Sequence, residues 1–180
     1  MKKIQRFAFI SFIIVAVLII STNSLSAEPV KIKGFFIGMD IDDALKNFKR
    51  LGFEGLSIRE KIYKKTNKVY SIQPGSGDRF KVETDLNVRT VSNIVFSSGI
   101  SNRLFHTKGI GAEIFKKSFT RAYNILAMEA FKDNPGSDPI KGWEHYNLKY
   151  GYRIRIFLNK DVEIIKIDKA SDFSFDYQSK

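Results

Sequence analysis

Few side chains in this 180-residue chain could carry chemistry: it has two histidines, His106 and His145, and no cysteine. Zinc sites take three or four His, Cys or carboxylate ligands. These histidines lie far apart, with only Glu144 beside one of them, so their spacing predicts neither a metal centre nor histidine-based catalysis. Ser76 stands in Gly75-Ser76-Gly77, which reads as a turn and lacks the strand-to-helix elbow of a nucleophilic serine. Asp40, Asp42 and Asp43 suggest a carboxylate cluster for acid–base or calcium chemistry, yet they stand where a helix N-cap and first turn favour acids. The residues therefore predict no enzyme and no cofactor.

Three other groups suit binding. Arg59, Lys61, Lys64, Lys65 and Lys68 surround one turn and form the candidate anion-facing surface, the alternative being a solvated hairpin tip. Trp143 and His145 are either core residues or the wall of a pocket between helices and sheet, as a small hydrolase or ligand-binding protein would have. Phe173, Phe175 and Tyr177 alternate with Ser174 and Asp176, as in a last edge strand or a segment that adds to a partner's sheet.

The elements that would position these groups follow from periodicity. Val30 to Ile37 reads as a strand ended by Gly38. Asp40 then caps a helix whose apolar positions Ile41, Ala44, Leu45, Phe48 and Leu51 recur at steps of three and four, with Lys49 and Arg50 late and Gly52 as the stop. From Leu56 to Phe96 the period becomes strand-like: one or two strands around Lys65 to Lys68, a turn at Pro74 to Asp78, a half-buried strand at Phe80 to Thr84, and another at Val88 to Phe96. A second helix is expected from Gly111 to Leu126, with Ile110, Ile114, Phe115, Phe119, Ala122, Tyr123 and Leu126 on its apolar side. After a loop at Asp133 to Pro139, an antiparallel meander is expected from Trp143 to Asn147, Tyr152 to Leu158 and Val162 to Ile167. The fold class read from this order is α+β, two helices packed on an antiparallel sheet. A tandem helix-plus-strands repeat over 30–100 and 101–168 is one form it could take, with Lys46, Phe48 and Arg50 aligning with Lys117, Phe119 and Arg121.

The N-terminus supplies an address. Lys2, Lys3 and Arg6 precede an apolar run from Phe7 to Ile20, and Ser24-Leu25-Ser26-Ala27 offers small residues for cleavage, the order of a secretory signal peptide. The run is shorter than the roughly 20 apolar residues of a spanning helix, so cleavage near Ala27 is expected, with an uncleaved inner-membrane anchor as the alternative. Periplasmic or secreted localisation follows, and residues 28–180 form a single domain. The chain holds 30 basic and 19 acidic residues. Loss of the three leader cations leaves 27 against 19, a net charge of +8. An exported basic protein is expected to meet an anionic envelope surface or a protein partner and no nucleic acid; membrane contact would come through the basic residues or an uncleaved leader. With no cysteine, stability must come from a core.

Ile37-Gly38-Met39 followed by Asp43-Ala44 at a capped helix start resembles the Gly-Met-x-x-x-Glu-Ala/Val opening of small exported bacterial proteins. These are the outer-membrane assembly lipoproteins of the SmpA/OmlA (BamE) type and the tandem-repeat fold of β-lactamase inhibitory protein. Leu104-Phe105 through Gly109, the following helix, Trp143 and Tyr152 to Ile156 are similar to a second copy of that unit. The resemblance implies helices on one face of an antiparallel sheet and a role in binding other proteins. No lipobox cysteine follows the apolar run, so neither a lipid anchor nor any functional residue carries over. The expectation is an exported, non-enzymatic binding protein of the bacterial envelope.

Overall fold

The computed structural model describes residues 29–63, 66–73, 80–132 and 139–167. The leader through Ala27, Lys64 and Lys65, the turn at Pro74 to Asp78, most of the loop from Asp133, and Phe173, Phe175 and Tyr177 lie outside the described residues. Eight strands occur among the described residues: β1 (Arg59–Tyr63), β2 (Asn67–Ile72), β3 (Phe80–Thr84), β4 (Val91–Phe96), β5 (Glu129–Phe131), β6 (Gly142–Asn147), β7 (Tyr152–Phe157) and β8 (Val162–Lys166). They form one antiparallel sheet in the order β1-β2-β3-β4-β8-β7-β6-β5. Each half is a four-strand meander, and the halves join through their last strands, β4 and β8.

Among the described residues three short helices accompany the sheet: α1 (Ile41–Arg50), α2 (Ser98–Phe105) and α3 (Ala112–Ala122). The expected α+β arrangement of two helices on a sheet is therefore corrected. The regular structure of the described residues is mostly sheet, and the position between 100 and 101 lies inside α2. The unforeseen α2 has a physical reason. It is eight residues long, contains Gly99, has no acid in its first turn, and the Ser97 side chain makes no capping bond. Its N-terminal cap comes from Asp161, 63 residues away, whose carboxylate accepts from the Ser98 N–H at 2.6 Å.

A second correction concerns Val30 to Ile37. In place of a strand, Lys33 and Gly34 take φ of 53° and 87° and fold the segment back on itself, with Ile32 and Phe35 exchanging backbone hydrogen bonds. Two positive φ values in succession suit a tight two-residue turn. The turn buries Ile32 and Phe35 together, which an extended strand, sending neighbours to alternate faces, does not do. A Cβ at Gly34 would come within 2.8 Å of the Asn47 and Arg50 side chains. Those side chains donate to the Lys33 carbonyl, so the glycine admits the polar groups that hold the turn on α1.

Helix α1 forms as its sequence dictates. Asp40 accepts from the Asp42 N–H at 2.8 Å, Asp42 and Asp43 occupy the first turn, and Lys49 and Arg50 the last, matching the helix dipole at both ends. Helix α3 is shorter than expected, because Asn124 at φ 51° turns the chain out. Leu126, beyond that turn, is 92% exposed, and Ile114, inside the helix but on its outer side, is 60% exposed, so neither belongs to the packing face assigned from periodicity.

Strand register sorts side chains onto two faces. On one face Ile72, Val82, Ile94, Ile164, Ile154 and His145 stand opposite one another in sequence across six strands. A parallel row runs Phe80, Phe96, Val162, Ile156, Trp143 and Ala130. Phe35 of the N-terminal turn, Phe48 of α1 and Phe53 just after that helix pack on Phe80. The rings then continue through Phe96 to Phe105, Phe115, Phe119 and Tyr123 of the helical segment. Burying one phenylalanine contributes about 1.5–3 kcal/mol, and edge-to-face pairs add to it, so this ring series carries the core. The opposite face carries polar rows: Arg59, Ser71, Glu83, Asn93, Ile165, Arg153, Tyr146, and next to it Lys81, Val95, Glu163, Arg155, Glu144, Glu129. Positive and negative charges interleave there, with Arg155 bonded to Glu144 at 2.9 Å and Lys81 to Glu83 at 2.6 Å.

Candidate functional site

Of the basic cluster singled out by sequence, the described members Arg59, Lys61 and Lys68 lie on the β1–β2 hairpin, at one edge of the sheet. β1 pairs with β2 over five residues, while β2 pairs with β3 only at Ser71 and Ile72. The outer part of the hairpin thus reaches beyond β3. Side chains replace the missing ladder there: Thr84 Oγ1 accepts from the Tyr70 N–H at 3.0 Å. Asn87, at φ 61°, accepts from the Lys68 N–H through its side chain and donates its own N–H to the Lys68 carbonyl, both at 2.8 Å. Asparagine tolerates this left-handed backbone better than most residues, which makes it suited to the post.

The structure splits the cluster. Arg59 and Lys61 alternate onto the open face of the sheet and are exposed. Lys68 points to the other side, where its ammonium meets Glu60 Oε1 at 3.0 Å. The Glu60 carboxylate, by direct hydrogen bond and by charge, holds the Lys68 ammonium above its ordinary range. Arg59 makes no ion pair among the described residues. The cation nearest an acid and the cation most available to a partner are therefore different residues, and sequence clustering alone did not separate them.

Trp143 lies in the core on β6, with the Lys116 ammonium 4.6 Å from its ring centroid. His145 occupies the end of the aliphatic row and donates through Nδ1 to the Ala127 carbonyl at 2.8 Å. His106 terminates α2 at φ 55°. No group of three or more His, Asp or Glu is arranged to hold a metal ion among the described residues. The aspartates after Met39 serve the helix: Asp40 caps it, Asp42 pairs with Arg89, and Asp43 with Lys46. No helix of the described residues is long and apolar enough to cross a membrane.

Two features escaped sequence reasoning. A cavity of about 250 Å³ lies between the N-terminal turn, α2 and α3, lined by Lys33, Phe105, His106, Phe115, Phe119 and Tyr123 among others; neither Trp143 nor His145 belongs to its wall. Burial raises the Tyr123 phenol above 10.0, opposed in part by a backbone hydrogen bond from Lys33. The second feature is the β7–β8 turn, where Lys160 donates to Asn102 Oδ1 at 3.2 Å, Thr107 O at 3.1 Å and Ile110 O at 3.4 Å. Its neighbour Asp161 caps the other end of α2. The local sequence Asn159-Lys160-Asp161 signals a turn; nothing in it signals the helix it clamps. No protein-family model, curated protein or solved structure matches this chain.

Proposed function

We propose that this chain is an exported, non-enzymatic binding protein of the bacterial envelope, and that it engages an anionic partner, a protein or an envelope component, through the β1–β2 edge. The observation that supports this reading is the hairpin's geometry. It overhangs β3, Arg59 and Lys61 stand two residues apart on one exposed face, and Arg59 has no acid beside it among the described residues. Charges so placed steer association and contribute most at low ionic strength.

Retention on immobilised heparin and co-sedimentation with anionic vesicles, each over a salt series, test the reading. Binding should weaken as salt rises and be lost in Arg59→Glu/Lys61→Glu, whereas Lys68→Glu should cost less because Glu60 already engages that ammonium. Equal retention of the double variant and the parent would remove the β1–β2 edge as the binding surface.

A further inference from the structure

The geometry points to the cavity between the N-terminal turn, α2 and α3 as a binding site for a small amphiphilic monocarboxylate, one whose apolar part is a single aromatic ring or short acyl chain. Its walls are the rings of Phe105, Phe115, Phe119 and Tyr123 with Leu104 and Ile110. An apolar cavity of about 150 Å³ stays dry and accepts benzene. At about 250 Å³ this one has room for a ring and a short chain.

The mouth supplies the other half of the specificity. Lys33 places its ammonium 5.5 Å from the Phe105 ring centroid and has no carboxylate partner among the described residues. His106, exposed, adds an imidazole on the same lining. Both residues hold positive φ, 53° and 55°, a backbone state that non-glycine residues seldom adopt. A cation over an aromatic wall at the opening of an apolar cavity is the arrangement a carboxylate with an apolar tail complements.

Titration calorimetry of the full chain with 4-phenylbutyrate and with its neutral counterpart 4-phenylbutan-1-ol tests this assignment. The acid should bind saturably, one per chain, about tenfold more tightly than the alcohol. Lys33→Met should bring the acid down to the alcohol's affinity and leave the alcohol unchanged. Ala122→Trp, at an exposed lining position, should abolish both. As a check that does not depend on that variant folding, amide chemical shifts should move at Thr107, Ser118 and Tyr123 and stay still on β1. Equal affinity for acid and alcohol, or an unaffected Lys33→Met, would overturn the anion's part. Shifts elsewhere, or no saturable binding at about 10 mM ligand, would overturn the site. Shifts at these residues that follow protein concentration instead of ligand would seat a second copy there and overturn the small molecule.

Discussion

Two hairpin tips in this molecule carry the same residue types and use them in opposite ways. At the β7–β8 tip, Lys160 and Asp161 turn inward: the ammonium meets three oxygens of α2 and the α2–α3 connection, and the carboxylate receives the first N–H of α2. Anion at the N-terminus and cation near the C-terminus match the helix dipole. On the β1–β2 hairpin, Arg59 at its base and Lys61 nearer its turn face outward, and the Lys68 ammonium meets Glu60 of the same hairpin. The difference is topological. β7–β8 lies in the middle of the sheet, where its turn runs alongside a helix; β1–β2 is the sheet's end and overhangs β3. A lysine becomes structural where chain connectivity brings backbone carbonyls to it, as at Lys160, and lies exposed on the surface where it does not.

Removing the inward lysine should have the largest effect on stability. Lys160→Met removes a charged donor from Asn102 Oδ1, Thr107 O and Ile110 O; the Thr107 hydroxyl and the Ile110 N–H still serve the first two, and losing the charge-assisted bonds should cost about 2–3 kcal/mol by chemical denaturation. Lys160→Gly sharpens the point. Lys160 sits at φ 69°, a conformation glycine adopts without strain, so this variant should lose about 1 kcal/mol less than Lys160→Met. Identical losses would mean that the ammonium, and not the backbone, accounts for the whole effect. Asn87→Ala, beside the outer part of the β1–β2 hairpin, removes a side-chain bond to Lys68 and puts alanine at φ 61°. A loss of about 1–2 kcal/mol is expected, with hydrogen exchange accelerating in β1 and β2 and not in β7 and β8. Asp161→Ala should cost about 1 kcal/mol as a lost cap. Combined with Lys160→Met it should depart from additivity, since both residues hold α2.

How much of this was legible beforehand follows from the range of each interaction. α1 could be read residue by residue because its caps, dipole charges and apolar stripe all lie within twelve residues of one another. α2 could not, because its N-terminal cap is 63 residues away and its C-terminal cation 58 residues from Asn102. The Ile32–Phe35 turn was hidden by the apolar character of its neighbours, although Lys33-Gly34 ends in the residue a two-residue turn favours. The basic cluster was visible as composition, but strand alternation decided that Arg59 and Lys61 share a face with each other and not with Lys68. For the cavity, sequence showed Phe115 and Phe119 as a helix face without showing that Lys33 would stand at its mouth.

Alkali separates the tips from the N-terminal segment. Tyr152 receives the Val30 N–H at 3.4 Å, and burial raises its phenol, like that of Tyr123, above 10.0. A raised phenol favours the neutral form in the fold, so its contribution is whole below pH 10 and declines as pH climbs through the folded value. Lys68, raised above 10.5 by Glu60, has the same sign and is lost over a still higher window. Stability should be level from neutrality to about pH 10 and fall beyond it. Tyr123→Phe/Tyr152→Phe, followed by denaturation at each pH, should flatten the first part of that fall.

The smallest stability effect should come from the outward tip. Arg59→Glu/Lys61→Glu exchanges two exposed cations on an edge strand, and surface changes of this kind stay within about 0.5 kcal/mol. The same double variant is expected to lose anion binding, which makes it the reverse of Lys160→Met: binding gone with stability kept, against stability lost with the β1–β2 surface intact. A denaturation midpoint that fell as far as that of Lys160→Met would show that the edge cations hold the hairpin in place. The contrast between the two tips would then collapse, and the loss of binding in the double variant would report unfolding of the edge instead of recognition.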